Sequence, residues 1–341
     1  MSTAHSPARK RFPGLDPVAL QHPYDRNALN ALQKVPGLDV VARKFLELFP
    51  ERVAYIQNVA QTVRVSKRQC PQLYGQLREA CAILDIQEPE LYVAQTPVPN
   101  ALTSGHTRPY IIITTGLLDL MDENEMLAVI GHELGHIKSG HVLYRTMALG
   151  IGALLTLIGE MTLGIGRLVG RTLEGTLLEW FRMSEFTADR SSLLTVQDPD
   201  VMLSLMMKFA GGRLFQRDQM DAREFLKQAD LYEAVDANVL DRIYKMLLVL
   251  PVTHPLTIVR AREIMNWSES LEYKDILEGR YTHMKASEGS RPGGSTSTTS
   301  TPGTSTPPSS GANGANLIRC PHCGREQTNR RFCSLCGGTI S

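Results

Sequence analysis

The stretch His132-Glu133-Leu134-Gly135-His136 spells H-E-x-x-H inside a run of helical character. On a helix, positions i and i+4 lie one above the other on one face, so both imidazoles can reach a single metal ion. Glu133 stands beside them, within reach of a water on the ion's open position. Zinc there would lower the pKa of that water to roughly 7, and Glu133 would take its proton as the water attacks a peptide carbonyl. The run from Asp122 to Tyr144 predicts the helix. Asp122 with Glu125 reads as a capping box, and Met126, Val129, Ile130, Leu134 and Ile137 recur at helical spacing. The alternative is a buried helix whose histidines only satisfy hydrogen bonds, but Glu133 between them would be costly in a core without a partner.

A catalytic zinc wants three protein ligands and one open position. A third histidine on the same helix would fall at position 142, three residues after a glycine at 139. The chain has Ser139 and Val142 there. His141 lies about a hundred degrees round the helix from the His132–His136 face and reads as a polar residue at the helix end. The third ligand therefore comes from elsewhere. Downstream, Trp180 to Arg190 reads as another helix, on which Glu185 and Asp189 share a face. A zinc ion for Glu185 and a ligand imidazole N–H for Asp189 would satisfy both carboxylates. A solvated face with Arg182 and Arg190 as ion-pair partners fits the same spacing.

His132 to Gly140, followed by Glu185-Phe186-Thr187-Ala188-Asp189-Arg190, resembles the HtpX-like metallopeptidases (metallopeptidase family 48, which includes the CaaX prenyl-protein proteases). Pro99-Asn100-Ala101, Thr114-Thr115-Gly116-Leu117-Leu118, and Thr253-His254-Pro255 with Arg260 extend the likeness over roughly Leu32 to Asn266. The resemblance implies a gluzincin-type catalytic domain. His132, His136 and Glu185 would bind zinc, Glu133 would act as general base and acid, and Asp189 would orient a ligand histidine. His254 would steady the tetrahedral oxyanion. Locally, Pro255 also lets His254 simply flank a helix start.

Leu91 to Thr115 is the one clearly β-like region and predicts a small antiparallel sheet packed on the zinc helix. A peptide could add itself to its edge through backbone hydrogen bonds, with Asn100 as a contact. The N-terminal part carries helical patterns at Val40–Leu48 and Leu73–Leu84. The expected fold class is thus α+β, mainly helical.

The chain has 341 residues, 43% hydrophobic, and a formal net charge of +1, which offers no electrostatic case for nucleic acid as a partner. Arg9, Lys10 and Arg11 are followed by Phe12-Pro13-Gly14 and not by an apolar run, so no secretory signal is expected. Thr146–Gly159 is uncharged, but a single membrane crossing there would put His136 and Glu185 on opposite sides of the bilayer. A double crossing needs about forty apolar residues. Only 48 residues separate the two ligands, and Glu160, Arg167, Arg171 and Glu174 fall among them. The segment 146–166 is expected to fold over the active site, with association to a membrane surface as the alternative.

From Gly289 to Gly314 the chain is almost wholly Gly, Ser, Thr and Pro, the composition of a flexible tether. Beyond it, Cys320 and Cys323, then Cys333 and Cys336, form paired C-x-x-C knuckles, which predict a structural zinc ribbon. The remaining cysteines, Cys70 and Cys81, are expected to be reduced thiols in a cytoplasmic protein. The expected organisation is an N-terminal extension (1–26), a metallopeptidase domain (27–285), a linker (286–316) and the ribbon (317–341), with one catalytic and one structural zinc. The resemblance implies a zinc metalloendopeptidase acting on unfolded or damaged protein, with a protein partner for the ribbon. The rival is a non-enzymatic, chaperone-like zinc protein that recruits clients through the ribbon. An intact Glu133 argues against it, since binding zinc needs no base.

Overall fold

The computed structural model describes residues 9–35, 37–48, 51–148, 165–211, 219–234, 256–284, 317–319 and 326–328. The chain divides into two compact units, Met1–His283 and Met284–Ser341. In the second unit, two short strands, Leu317–Arg319 and Glu326–Thr328, pair antiparallel. Cys320, Cys323, Cys333 and Cys336 lie outside the described residues, as do the tether 286–316 and His254.

The first unit is mainly helical with one small sheet. In chain order it contains α1 (Pro23–Leu32), α2 (Leu38–Leu48), α3 (Glu51–Gln61), β1 (Val63–Arg64), α4 (Pro71–Leu84), β2 (Glu90–Ala94), β3 (Ala101–Ser104) and β4 (Tyr110–Thr114). There follow α5 (Thr115–Leu120), α6 (Glu123–Lys138), α7 (Ile165–Val196), α8 (Pro199–Ala210), α9 (Ala222–Ala234), α10 (Thr257–Glu269) and α11 (Leu271–Leu277). The N-terminal residues expected to extend the domain pack into it, because Phe12, Leu15 and Leu20 are buried among the core residues of α4, α6 and α8.

The sheet is mixed, not antiparallel as the sequence suggested. Its order is β1-β2-β4-β3, with β2 and β4 parallel and β3 antiparallel to β4. The cause is strand order. Gly105, at φ +86°, turns the chain from β3 into β4, and β4 lies between β2 and β3 instead of beyond β3, so it pairs with a strand running its own way. β4 reads Tyr-Ile-Ile-Ile-Thr, buried along most of its length without alternation, as a strand covered on both faces of its sheet should be. β3 is left at the edge, against α6.

The predicted capping box is present: the Asp122 carboxylate accepts from the Asn124 and Glu125 amides, and Glu125 accepts from the Asp122 amide. The helical run stops earlier than its pattern suggested, at Lys138 and not Tyr144. Gly140 adopts φ +72°, its amide donates to the Ile137 carbonyl, and the His141 amide donates to that of His136. This pair of bonds is a Schellman ending, and it needs a residue free to enter the left-handed region. A second helical stretch, 142–148, starts immediately afterwards.

Glycines let α6 and α7 approach closely. A methyl on Gly131 would lie 2.3 Å from Thr195 Oγ1, and one on Gly135 would lie 2.6 Å from Ser191 Cβ. The α7 hydroxyls use that proximity: Ser191 donates to the Gly131 carbonyl at 3.0 Å and Ser192 to the Ala128 carbonyl at 2.6 Å. Among the described residues, no helix is long and apolar enough to cross a membrane. Of segment 146–166, only its two ends belong to those residues.

Candidate metal centre

The close contact of α6 and α7 brings together the ligand residues predicted from sequence. His132 Nε2 and His136 Nε2 face each other at 3.2 Å. Glu185 Oε2 lies 3.4 Å from the first and Oε1 3.4 Å from the second. Among the described residues this is the one group of three metal-ligating side chains whose ligand atoms converge. With zinc–nitrogen bonds of 2.0–2.1 Å, tetrahedrally placed ligand atoms stand about 3.3–3.4 Å apart; the two nitrogens stand near that spacing, and each faces a different oxygen of Glu185 at 3.4 Å.

The outer nitrogens of both histidines are engaged. His132 Nδ1 meets Asp189 Oδ1 at 3.1 Å, and because a carboxylate only accepts, that nitrogen carries the proton. His136 Nδ1 meets His141 Nδ1 at 3.0 Å, and His141 Nε2 meets Asp25 Oδ2 at 3.2 Å. Each imidazole therefore turns Nε2 inward, toward the other and toward a carboxylate.

Glu185 is fully buried, as is His136. Its partners are Arg145, which donates to Oε1, and Arg260, whose Nη1 lies 3.4 Å from Oε2. Arg260 also grips Asp189 at both oxygens, at 2.8 and 2.6 Å. These arginines come from other elements. Arg182 and Arg190, the sequence-based alternative partners, pair with Glu179 and Glu272. Glu133, Glu185 and Asp189 outnumber Arg145 and Arg260 by one charge, so the pocket favours an added cation. Burial works against charging His132, yet Asp189 and Glu185 push its imidazole up to about 9. Without a metal, a proton takes the cation's place. Burial and the nearby Arg145 instead hold His136 well below the usual imidazole range, in the neutral form that ligates. The donor set fits zinc on geometry and on charge.

Glu133 is buried, and its Oε2 accepts the Thr103 hydroxyl of β3 at 2.5 Å. Its Oε1 has no hydrogen bond among the described residues. A cleft of ≈ 240 Å³ opens over these groups, floored by His132, Glu133, Glu185 and Arg260. Asn100 and Ala101 line one side, and Val129, Leu205 and Phe209 supply apolar wall. Asn100 holds β4 with its backbone: its carbonyl accepts from the Thr114 amide and its amide donates to Thr114 Oγ1.

Sequence reasoning passed over Thr103, Arg145 and the pair His141–Asp25. For His141 a signal existed, since a glycine closing a helix folds the next residue back over the third from its end. Thr103 and Asp25 reach the site through tertiary packing alone, and no local pattern marks them.

Residues 67–268 match Peptidase family M48. The chain is 40% identical over 270 residues to the plastoglobule-localized metallopeptidase 48, chloroplastic, of Arabidopsis thaliana, covering 78% of this chain and 77% of that protein. It is 31% identical over 169 residues to protease HtpX homolog 2 of Methanosarcina mazei, covering 43% of this chain and 58% of that one. With the protease HtpX homolog of Moorella thermoacetica it shares 27% identity over 187 residues, covering 47% and 62% respectively. No solved structure matches the chain significantly.

Proposed function

The chain belongs to peptidase family M48 and is an HtpX-like metallopeptidase, and on that premise we propose that it is a zinc-dependent endopeptidase with His132, His136 and Glu185 as ligands. The observation that carries this reading is the convergence of two inward Nε2 atoms and one carboxylate, beside a buried glutamate whose Oε1 has no hydrogen bond among the described residues. A bound zinc would supply a water of lowered pKa and polarise the scissile carbonyl.

The chain's own residues do the rest. The Thr103 hydroxyl occupies Glu133 Oε2, so Oε1 is the atom that takes the water's proton and delivers it to the leaving amine. Asp189 keeps the His132 proton on Nδ1, and Arg260 holds Asp189 and Glu185 in place. Because Asn100 spends its backbone groups on β4, those of Ala101 and Thr103 point to the open edge of β3. An extended peptide pairing there would lie across the cleft, with Asn100 beside it and Val129, Leu205 and Phe209 receiving an apolar side chain. His254, six residues before Arg260, is assigned the oxyanion role. The reading continues with a second, structural zinc on Cys320, Cys323, Cys333 and Cys336, and a ribbon that recruits a protein partner. It also includes unfolded or damaged proteins as substrates in a cytoplasmic setting. The plastoglobule address of the Arabidopsis relative supports attachment to a lipid surface as the alternative setting.

The test compares casein cleavage by the zinc-loaded protein and its Glu133→Gln variant, with zinc content measured in parallel. Loss of cleavage with two zinc ions retained is expected, and equal rates would sink the mechanism. Glu185→Ala should lower the content from two to one; a content unchanged at two would remove Glu185 from the ligand set.

A further inference from the structure

The two ligand histidines are held differently, and the difference leads 25 residues from the N-terminus. His132 leans directly on a carboxylate, Asp189. His136 leans on another imidazole, and the carboxylate stands one step further out, at Asp25. We propose that His141 is a positioning residue for His136, and that Asp25 sets which of the two His136 nitrogens carries the proton.

Asp25 is fully buried and meets donors only. Trp180 Nε1–H donates to Oδ1 at 3.0 Å, and the Thr187 hydroxyl donates to Oδ2 at 2.7 Å. A carboxylate so placed requires a proton on His141 Nε2. With its Nε2–H given to Asp25, His141 turns Nδ1 toward His136 Nδ1 as the acceptor, and the proton between the two Nδ1 atoms belongs to His136. That leaves His136 Nε2 bare, facing His132 Nε2 and Glu185. The Schellman turn at Gly140 delivers His141 to this position, and Trp180 packs edge-on against its ring at 5.4 Å. The same relay would fail if Asp25 could donate.

The inference rests on the zinc reading for its consequence, though the proton's position needs no metal. In Asp25→Asn, Trp180 can only donate, so it pins the amide oxygen at the Oδ1 place. The amide nitrogen then takes the Oδ2 place and donates to His141 Nε2. His141 must protonate Nδ1 and donate it to His136, whose own proton moves to Nε2, the ligating atom. His141→Gln keeps an acceptor and a donor in one side chain, whereas His141→Leu removes both.

Zinc affinity is measured on the full chain by competition with a chromophoric chelator, using Glu185→Ala to identify ribbon zinc. Asp25→Asn and His141→Leu should bind 10–100-fold more weakly than the parent, and His141→Gln should bind as the parent does. Long-range 1H–15N spectra of the metal-free protein should show His136 as the Nδ1–H tautomer in the parent and as Nε2–H in Asp25→Asn. An unshifted tautomer overturns the proposal, and so does parental affinity in Asp25→Asn or His141→Gln no tighter than His141→Leu. Should Asp25→Asn not fold, the two His141 variants decide. If the parent and Glu185→Ala bind equal zinc, the metal reading fails, and the tautomer still judges the relay.

Discussion

Replacing Gly135 by alanine tests whether the metal centre depends on the distance between two helices. The added methyl would meet Ser191 Cβ at 2.6 Å, Ser191 Oγ at 2.9 Å and Ala188 Cα at 3.2 Å. Carbon atoms in ordinary contact stand about 3.5–4.0 Å apart, so α6 and α7 must part by about 1 Å. Turning the serine does not help, because Cβ is not carried by a rotor. Overpacking of this kind costs about 1–3 kcal/mol, and better helix propensity returns up to about 1 kcal/mol. The net loss of up to about 2 kcal/mol should lower the apparent Tm of the metal-free protein by up to about 8 °C. The effect on zinc should be larger. His132 and His136 ride on α6 and Glu185 on α7, and coordination tolerates errors of only about 0.2 Å. Chelator competition should therefore show weakened zinc binding well beyond the stability change, and adding Ser191→Gly should restore it. Parental zinc affinity in Gly135→Ala, or no recovery in the double variant, would refute the idea that these glycines set the ligand geometry.

Thr103→Val removes the hydroxyl that holds Glu133 Oε2. With bonds to charged groups worth about 1.5–3 kcal/mol, kcat on casein should fall at least about tenfold while KM and zinc content stay put, and an unchanged kcat would deny Thr103 its role. The metal-free protein should also lose stability toward alkaline pH. His132 has a folded value of about 9 against an ordinary 6.5, so its contribution is full below 6.5 and disappears as the pH rises through about 9. Zinc must expel that proton, so its affinity should climb over the same range; calorimetry giving a flat profile would contradict this. At the acid end, Arg260 holds Asp189 low despite its burial. That contribution is full above 3.8 and is lost as the pH falls below it, and Asp189→Asn should flatten the acid limb of the unfolding curve.

The elements legible in the sequence are those whose signals are local. The capping box at Asp122, the i, i+4 pairs His132–His136 and Glu185–Asp189, and the helices over Val40–Leu48 and Leu73–Leu84 all follow from spacing. Spacing could not choose between zinc and arginine for Glu185. The structure puts Arg145 and Arg260 beside that residue, from distant parts of the chain, as well as both histidines. The place of β4 between β2 and β3 escaped because strand order is set by tertiary pairing, and the alternation of side chains along a strand is blind to which neighbour it takes. The helix end at Gly140 was masked by the apolar rhythm that resumes at Val142. Gly131 and Gly135, against Thr195 and Ser191, carry no signal until the two helices are known to touch.

The buried N-terminal residues have a topological consequence. Leu15 forms a β-bridge with His283, and the Asp16 amide donates to the Thr282 carbonyl, so the first and last segments of the catalytic unit lie side by side. The unit is close to a ring with a single cut. A circular permutant that joins the two ends of this unit by a designed loop, and opens at the exposed turn of Lys67–Arg68, keeps His132, His136 and Glu185 on their helices.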